Sequence, residues 1–151
     1  MTQFQFRNPG LLADERLKLV LLKTESAEVS PWSSPAYRFE IQTREAGVRV
    51  GTINLRVGES KLLTHYAGQI GFAIDEPHRG HHYAERACRL LLPFAGMNGL
   101  SPVWITCSPD NHASRRTIER LGAEYVETVE VPADYPLPDG ALRQKRRYRI
   151  R

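Results

Sequence analysis

The sequence predicts an α/β (α+β) fold: a mixed, largely antiparallel central sheet of about seven strands, with helices on both faces. Three observations carry this. Short apolar runs alternate with polar residues along most of the chain. Turn signals such as Arg44-Glu45-Ala46-Gly47 join neighbouring runs into hairpins. Residues 69–107 read strand–helix–strand, which implies one right-handed parallel crossover.

Taken in order, residues 1–10 end in the turn signal Asn8-Pro9-Gly10 and are expected to be a loosely held lead-in. The dense apolar run within 16–23 predicts a short buried strand. Residues 24–35 collect Glu, Ser and two prolines around Trp32, a loop whose Trp anchors it in the core or lines a pocket. Tyr37, Phe39 and Ile41 alternate with polar neighbours, as in a half-buried strand. In the next strand Val48 and Val50 share one parity, and Ile53, Leu55 and Val57 the other. The switch falls at Gly51, so a β-bulge is expected there.

A loop over 58–68 carries His65 and Tyr66. The strand at 69–76 puts Ile70, Phe72 and Ile74 on one face. Gly71 and Ala73 leave the other face bare, which suits the close approach of a helix or a ligand. The helix after Arg79 stripes Ala84, Ala87, Cys88, Leu91, Leu92 and Ala95 at helical spacing, and Pro93 is expected to kink or shorten it. Val103–Cys107 reads as a central strand. Cap residues at 108–111 open a second helix ending at Gly122, and strands follow at 124–131 and 144–150. The whole of 1–151 is expected to be a single domain.

Composition narrows the function classes. No apolar run approaches the roughly 20 residues that span a bilayer, and the N-terminus lacks the regions of a signal peptide, so the chain reads as cytoplasmic. Cys88 and Cys107 follow no zinc spacing and fall in apolar runs, as reduced core residues do. The net charge of +4 is unevenly spread: residues 143–151 hold six of the 21 basic residues, leaving 15 basic against 17 acidic elsewhere. A near-neutral body argues against nucleic acid as a partner. The terminal strand alternates Arg143, Lys145, Arg147, Arg149 and Arg151 with other residues, the pattern of a solvated, aggregation-resistant edge face.

The stretch Arg79-Gly80-His81-His82-Tyr83-Ala84 is the chemical focus. A strand ends, a basic loop follows, and a helix opens, so that unpaired amides and a positive helix end converge on one point. That is a place to hold a phosphate, although neither GxxxxGK[ST] nor GxGxxG is present. His78, His81, His82 and Glu85 lie within eight residues and are of types that bind zinc. His81 and His82 point in different directions on a helix and no HExxH accompanies them, so no metal is expected. There is no GxSxG nucleophile elbow.

These residues carry a resemblance. The chain resembles the GNAT superfamily of acyl-CoA-dependent N-acyltransferases, most strongly over 36–131. Arg79 and Ala84 match the family's Arg/Gln-x-x-Gly-x-Gly/Ala loop, which His82 departs from where Gly is preferred. Asp110-Asn111, Ala113-Ser114 and Glu119-Arg120-Leu121-Gly122 match its second signature. The resemblance implies acetyl transfer from acetyl-CoA to a primary amine by direct attack in a ternary complex. It implies cosubstrate contacts from Phe72, Ile74, Arg79, Gly80, His81, His82, Tyr83, Ala84, Asn111 and Ser114. The acceptor would be an amine-bearing small molecule, protein or peptide, gripped by residues 24–35 and 131–142, and a homodimer is considered as an assembly. Ile118 stands where many members carry a Tyr that protonates the leaving thiolate, and no carboxylate suits the general base. His65 is the titratable candidate by position. The alternative reading is a non-catalytic acyl-CoA-binding or regulatory module.

Overall fold

The computed structural model describes residues 3–151. Eight strands form two antiparallel sheets. The first runs in chain order: β1 (Leu12–Ala13), β2 (Leu17–Glu25), β3 (Ala36–Thr43), β4 (Arg49–Arg56) and β5 (Ile70–Ile74). The second holds β6 (Val103–Cys107), β7 (Glu124–Glu130) and β8 (Gln144–Ile150) in the order β6-β8-β7. Helix α1 (Tyr83–Met97) connects the sheets, and α2 (His112–Arg120) follows β6.

The alternating residues of β3 and β4 are buried as their period requires, with Tyr37, Phe39, Ile41, Ile53 and Leu55 all in the core. Helix α1 lays Ala87, Cys88, Leu91 and Phe94 onto this layer. The Phe94 ring meets Tyr37 edge-on at 4.9 Å, and each such buried ring contributes about 1.5–3 kcal/mol. Tyr37 also fastens the lead-in: its hydroxyl accepts from the Arg7 amide at 2.9 Å, donates to Asn98 at 2.9 Å, and its ring packs on Phe6. Burial pushes the Cys88 thiol up to about 12, so both the packing and the chemistry of this residue are those of an inert core group.

The parity switch in β4 is a bulge. Ile41 pairs with Gly51 and Gln42 with Arg49, leaving Val50 as the extra residue. Several expectations change. Residues 58–68 are not all loop, because Leu62–Ala67 forms a π-type helical turn with Leu63 buried beneath it. Pro93 sits inside α1, which continues to Met97. Only the first half of β2 is buried, and Leu22 is exposed.

The parallel crossover is also different from the one the pattern implies. Strands β5 and β6 form no ladder. The segments meet at Gln69, whose amide donates to the Trp104 carbonyl at 2.8 Å and whose Oε1 accepts from the Trp104 amide at 2.8 Å. Beyond that junction the sheets part, and each turns an unpaired strand edge toward the gap.

The basic terminal strand is not an edge. β8 lies between β6 and β7. Its arginines are matched by neighbours: Arg147, 5% exposed, pairs with Glu127 and covers the Trp104 ring at 4.3 Å, and Arg149 pairs with Glu124 at 2.9 Å. Alternating Glu and Arg on β7 and β8 form cross-strand pairs, which explains the charge pattern without an acidic partner.

Candidate active site

The cleft at the open end of the gap has a volume of about 570 Å³. Its apolar wall is Phe72, Ala73 and Ile74 of β5. Its roof is the start of α1, Tyr83 and Ala84, together with Gly80 and His82. The opposite wall is α2, through Asn111, Ala113, Ser114, Arg116, Thr117 and Arg120.

The mouth is built to hold negative charge. The first helical hydrogen bond of α1 runs from the Arg86 amide to the His82 carbonyl at 3.1 Å, and no side chain caps the helix. The amides of Tyr83, Ala84 and Glu85 therefore lack intrahelical acceptors and point out of the helix end. Three arginines, Arg79, Arg116 and Arg120, and two histidines, His78 and His82, line the cleft, and no carboxylate does. Gly80 has φ +92°, a conformation that only glycine takes without strain.

His82 occupies the left-handed region at φ 59°, ψ 25° as the α1 cap. That is a position glycine fills easily, which is the physical content of the sequence departure there. Its ring turns to Arg120, whose Nη1 donates to Nδ1. The side chain thus leaves the amides uncovered. Asn111 caps α2, its Oδ1 accepting from the Ser114 amide at 3.2 Å, so its side-chain N–H groups stay free for the cleft.

Of the ten residues expected to form this site, nine line the cleft. His81 does not: it is exposed, its ring 5.3 Å from that of Tyr83. The sequence reading missed Arg116 and Arg120, which lie on the polar face of α2 four residues apart. Arg120 falls within the second signature, but neither it nor Arg116 stood out as a cleft residue from the solvated charges of a helix face.

His65 stands apart from the cleft lining, in the helical turn Leu62–Ala67 at the closed end of the gap. The next residue ties that turn to β6, as Thr106 Oγ1 donates to the Tyr66 carbonyl at 2.7 Å. Burial lowers the His65 pKa, and the positive charges of Arg147 and Lys61 lower it further against Glu127. Its Nδ1 lies 2.8 Å from Thr64 Oγ1. Ile118 is fully buried in the core, so that position of α2 presents no proton donor to the cleft. Among the described residues, no three His, Cys, Asp or Glu side chains converge as a metal site. Among the described residues, no helix is long and apolar enough to cross a membrane.

Comparison with known proteins bears on the fold and the family. No curated protein sequence matches the chain. Among solved structures, RimL, the ribosomal L7/L12 α-N-protein acetyltransferase in complex with coenzyme A, superposes with a TM-score of 0.67 at 13% identity. The match covers 93% of this chain and 97% of RimL. An acetyltransferase from Agrobacterium tumefaciens gives a TM-score of 0.63 at 20% identity, over 100% of this chain and 99% of that one. The microcin C7 self-immunity acetyltransferase MccE, in complex with acetyl-CoA and AMP, gives 0.60 at 17% identity, over 76% of this chain and 60% of its own. At such identities the likeness speaks for the fold. The family model of the GNAT acetyltransferase domain matches residues 10–124, most of the chain, and the protein belongs to that family.

Proposed function

We propose that the cleft holds acetyl-CoA and that the protein moves its acetyl group to a primary amine by direct attack in a ternary complex. One observation carries this reading: an acid-free cationic mouth at an uncapped helix end opens onto an unpaired strand edge that leads inward to the Gln69 junction. Coenzyme A has the same polarity, phosphates at one end and a long arm of amides ending in sulfur at the other. The amides from Gly80 to Ala84 and the side chain of Arg79 hold the pyrophosphate. Backbone groups near Phe72 and Ile74 pair with the arm as a strand would, and Asn111 and Ser114 contact it from α2. Two of the neighbouring structures hold coenzyme A or acetyl-CoA, which supports the assignment.

Acetyl-CoA supplies an acyl group already activated as a thioester. The protein's part is to place the amine, take its proton and exclude water. His65 is the proposed base. Its lowered pKa keeps the imidazole neutral to more acid pH than a free histidine, so it accepts a proton at neutrality. The departing thiol has a pKa of about 8.5 and leaves as thiolate without an acid on α2, consistent with Ile118 at that position.

A panel of primary amines assayed for thiol release from acetyl-CoA tests this function. Turnover with some amine is expected, with a rate plateau that extends below pH 6.5, the ordinary histidine value. His65→Ala should lower kcat about 10²-fold or more with no change in acetyl-CoA affinity. Binding without turnover across the panel would instead favour the non-catalytic module, the reading that Ile118 motivates.

Reversing charge at Arg116 and Arg120 together should weaken acetyl-CoA binding more than tenfold, or about 1.4 kcal/mol, while leaving the fold intact. Neither residue is buried, and Arg116 makes no ion pair among the described residues. Calorimetry on the double variant measures this.

A further inference from the structure

Arg56 ends β4 on the face of the sheet away from α1, and it is only 9% exposed. Its Nη1 donates to the carbonyls of Ala67, at 2.8 Å, and Gly68, at 3.2 Å. Those residues immediately precede Gln69, so the guanidinium sits where the gap between the sheets closes. Its other edge is unpaired. Nε is buried without any hydrogen-bond partner, and Nη2 has none among the described residues. Among the described residues no carboxylate forms an ion pair with it.

The surroundings deepen the imbalance. The Trp32 ring lies 4.1 Å from the guanidinium and 4.9 Å from that of Arg38, but Arg38 is neutralised by Glu25. Lys145, half-buried and without an ion pair among the described residues, adds a second cation within electrostatic reach. Tyr135 approaches from the loop between β7 and β8, its ring 5.9 Å from Tyr66. Trp32 and Tyr135 thus bring both loops expected to hold the acceptor to one buried cation. Gly71 belongs to the same arrangement: a β-carbon there would collide with the Arg56 guanidinium. At Gly71 the bare face of β5 makes room for Arg56, while Ala73 on the same face lines the cleft.

A buried guanidinium that fastened only Ala67 and Gly68 would be stable with its remaining donors paired, and they are not. Nε has no surface that an oxygen atom can reach, so the donor open to a carboxylate is Nη2, which is neither paired nor sealed. We infer that Nη2 of Arg56 receives a carboxylate oxygen of the acceptor, with Trp32 stacked on the guanidinium face, so that the amine acetylated belongs to a carboxylate-bearing molecule. This rests on the proposed acetyl transfer for the location of the reacting end. The carboxylate belongs to a free amino acid or to an acidic residue of a peptide.

Two matched pairs of probes separate those sources: β-alanine against β-alaninamide, and C-terminally amidated Ala-Glu against Ala-Gln. Each pair differs only in carboxylate against amide. The primary readout is the Arg56 Nε–H resonance of the unmodified protein with CoA bound, assigned by its loss in Arg56→Lys. The carboxylate member of at least one pair should move it saturably, and its amide should not. Thiol release from acetyl-CoA should favour that carboxylate member about tenfold or more in kcat/KM, and Arg56→Gln should erase the preference while keeping the acetyl-CoA thermal shift. A resonance that neither pair moves, or that acid and amide move equally, overturns the inference. A missing acetyl-CoA shift beside a responsive Nε–H would instead sink the cosubstrate reading and leave the anion site standing.

Discussion

Replacing Gly51 with alanine is expected to cost about 3 kcal/mol or more of stability, the largest effect of any single methyl group in the first sheet. Gly51 pairs with Ile74 at the bulge of β4. A β-carbon there would collide with the Ala73 carbonyl oxygen and stand 3.0 Å from Ile74 Cα and 3.1 Å from Ile74 Cδ1. The first two obstacles are backbone and cannot rotate away, so β5 must shift relative to β4. Ala73 and Ile74 are also the apolar wall of the cleft, so cosubstrate affinity should fall with stability. For a chain of this length the loss corresponds to a fall in Tm of roughly 6–12 °C. Thermal unfolding of Gly51→Ala measures it. A Tm within a degree or two of the parent would mean that β4 and β5 are not apposed as described.

Gln69→Leu should have the second large effect, about 3 kcal/mol, although the substitution nearly conserves volume. Gln69 is 1% exposed. Its Oε1 accepts from the Trp104 amide, and its Nε2 donates to the Gly58 carbonyl at 2.7 Å. Leucine leaves both backbone groups without that partner in a dry setting, which costs about 1–3 kcal/mol each before relaxation. The side chain is also the pin that joins the two sheets where the gap closes. Its loss should loosen the gap and lower acetyl-CoA affinity, a coupling that a plain core defect would not show. Gln69→Glu, in contrast, would place a carboxylate against the Gly58 carbonyl and should fare no better.

Much of this was legible in the sequence, and the failures share a cause. Periodicity located β3, β6 and α1 because each has one face in the core, and the parity change in β4 identified the bulge beside Gly51. The cleft residues of β5, the loop and α2 followed from two signatures at a fixed separation. What periodicity could not see was pairing. The charges of β8 looked like those of an exposed edge, because the glutamates of β7 that neutralise them lie about twenty residues away in sequence. Arg56 was passed over for the same reason. At the end of a strand it read as an ordinary polar position, and only the fold shows that its neighbours are a glycine, a tryptophan and two carbonyls instead of an acid. The parting of β5 from β6 depends on Gln69, a polar residue whose burial no local pattern announces.

The central claim is that the cleft between β5, the start of α1 and α2 is an acetyl-CoA site, and thermal unfolding with and without the cosubstrate tests it most directly. At a concentration one hundred times the dissociation constant, a ligand confined to the native state adds about 2.7 kcal/mol, a rise in Tm of roughly 5–11 °C for a chain of this size. That rise is expected for the parent protein at saturating acetyl-CoA and should be sharply reduced in the Arg116→Glu, Arg120→Glu double variant. An unchanged Tm across the accessible range of acetyl-CoA concentration would contradict the account.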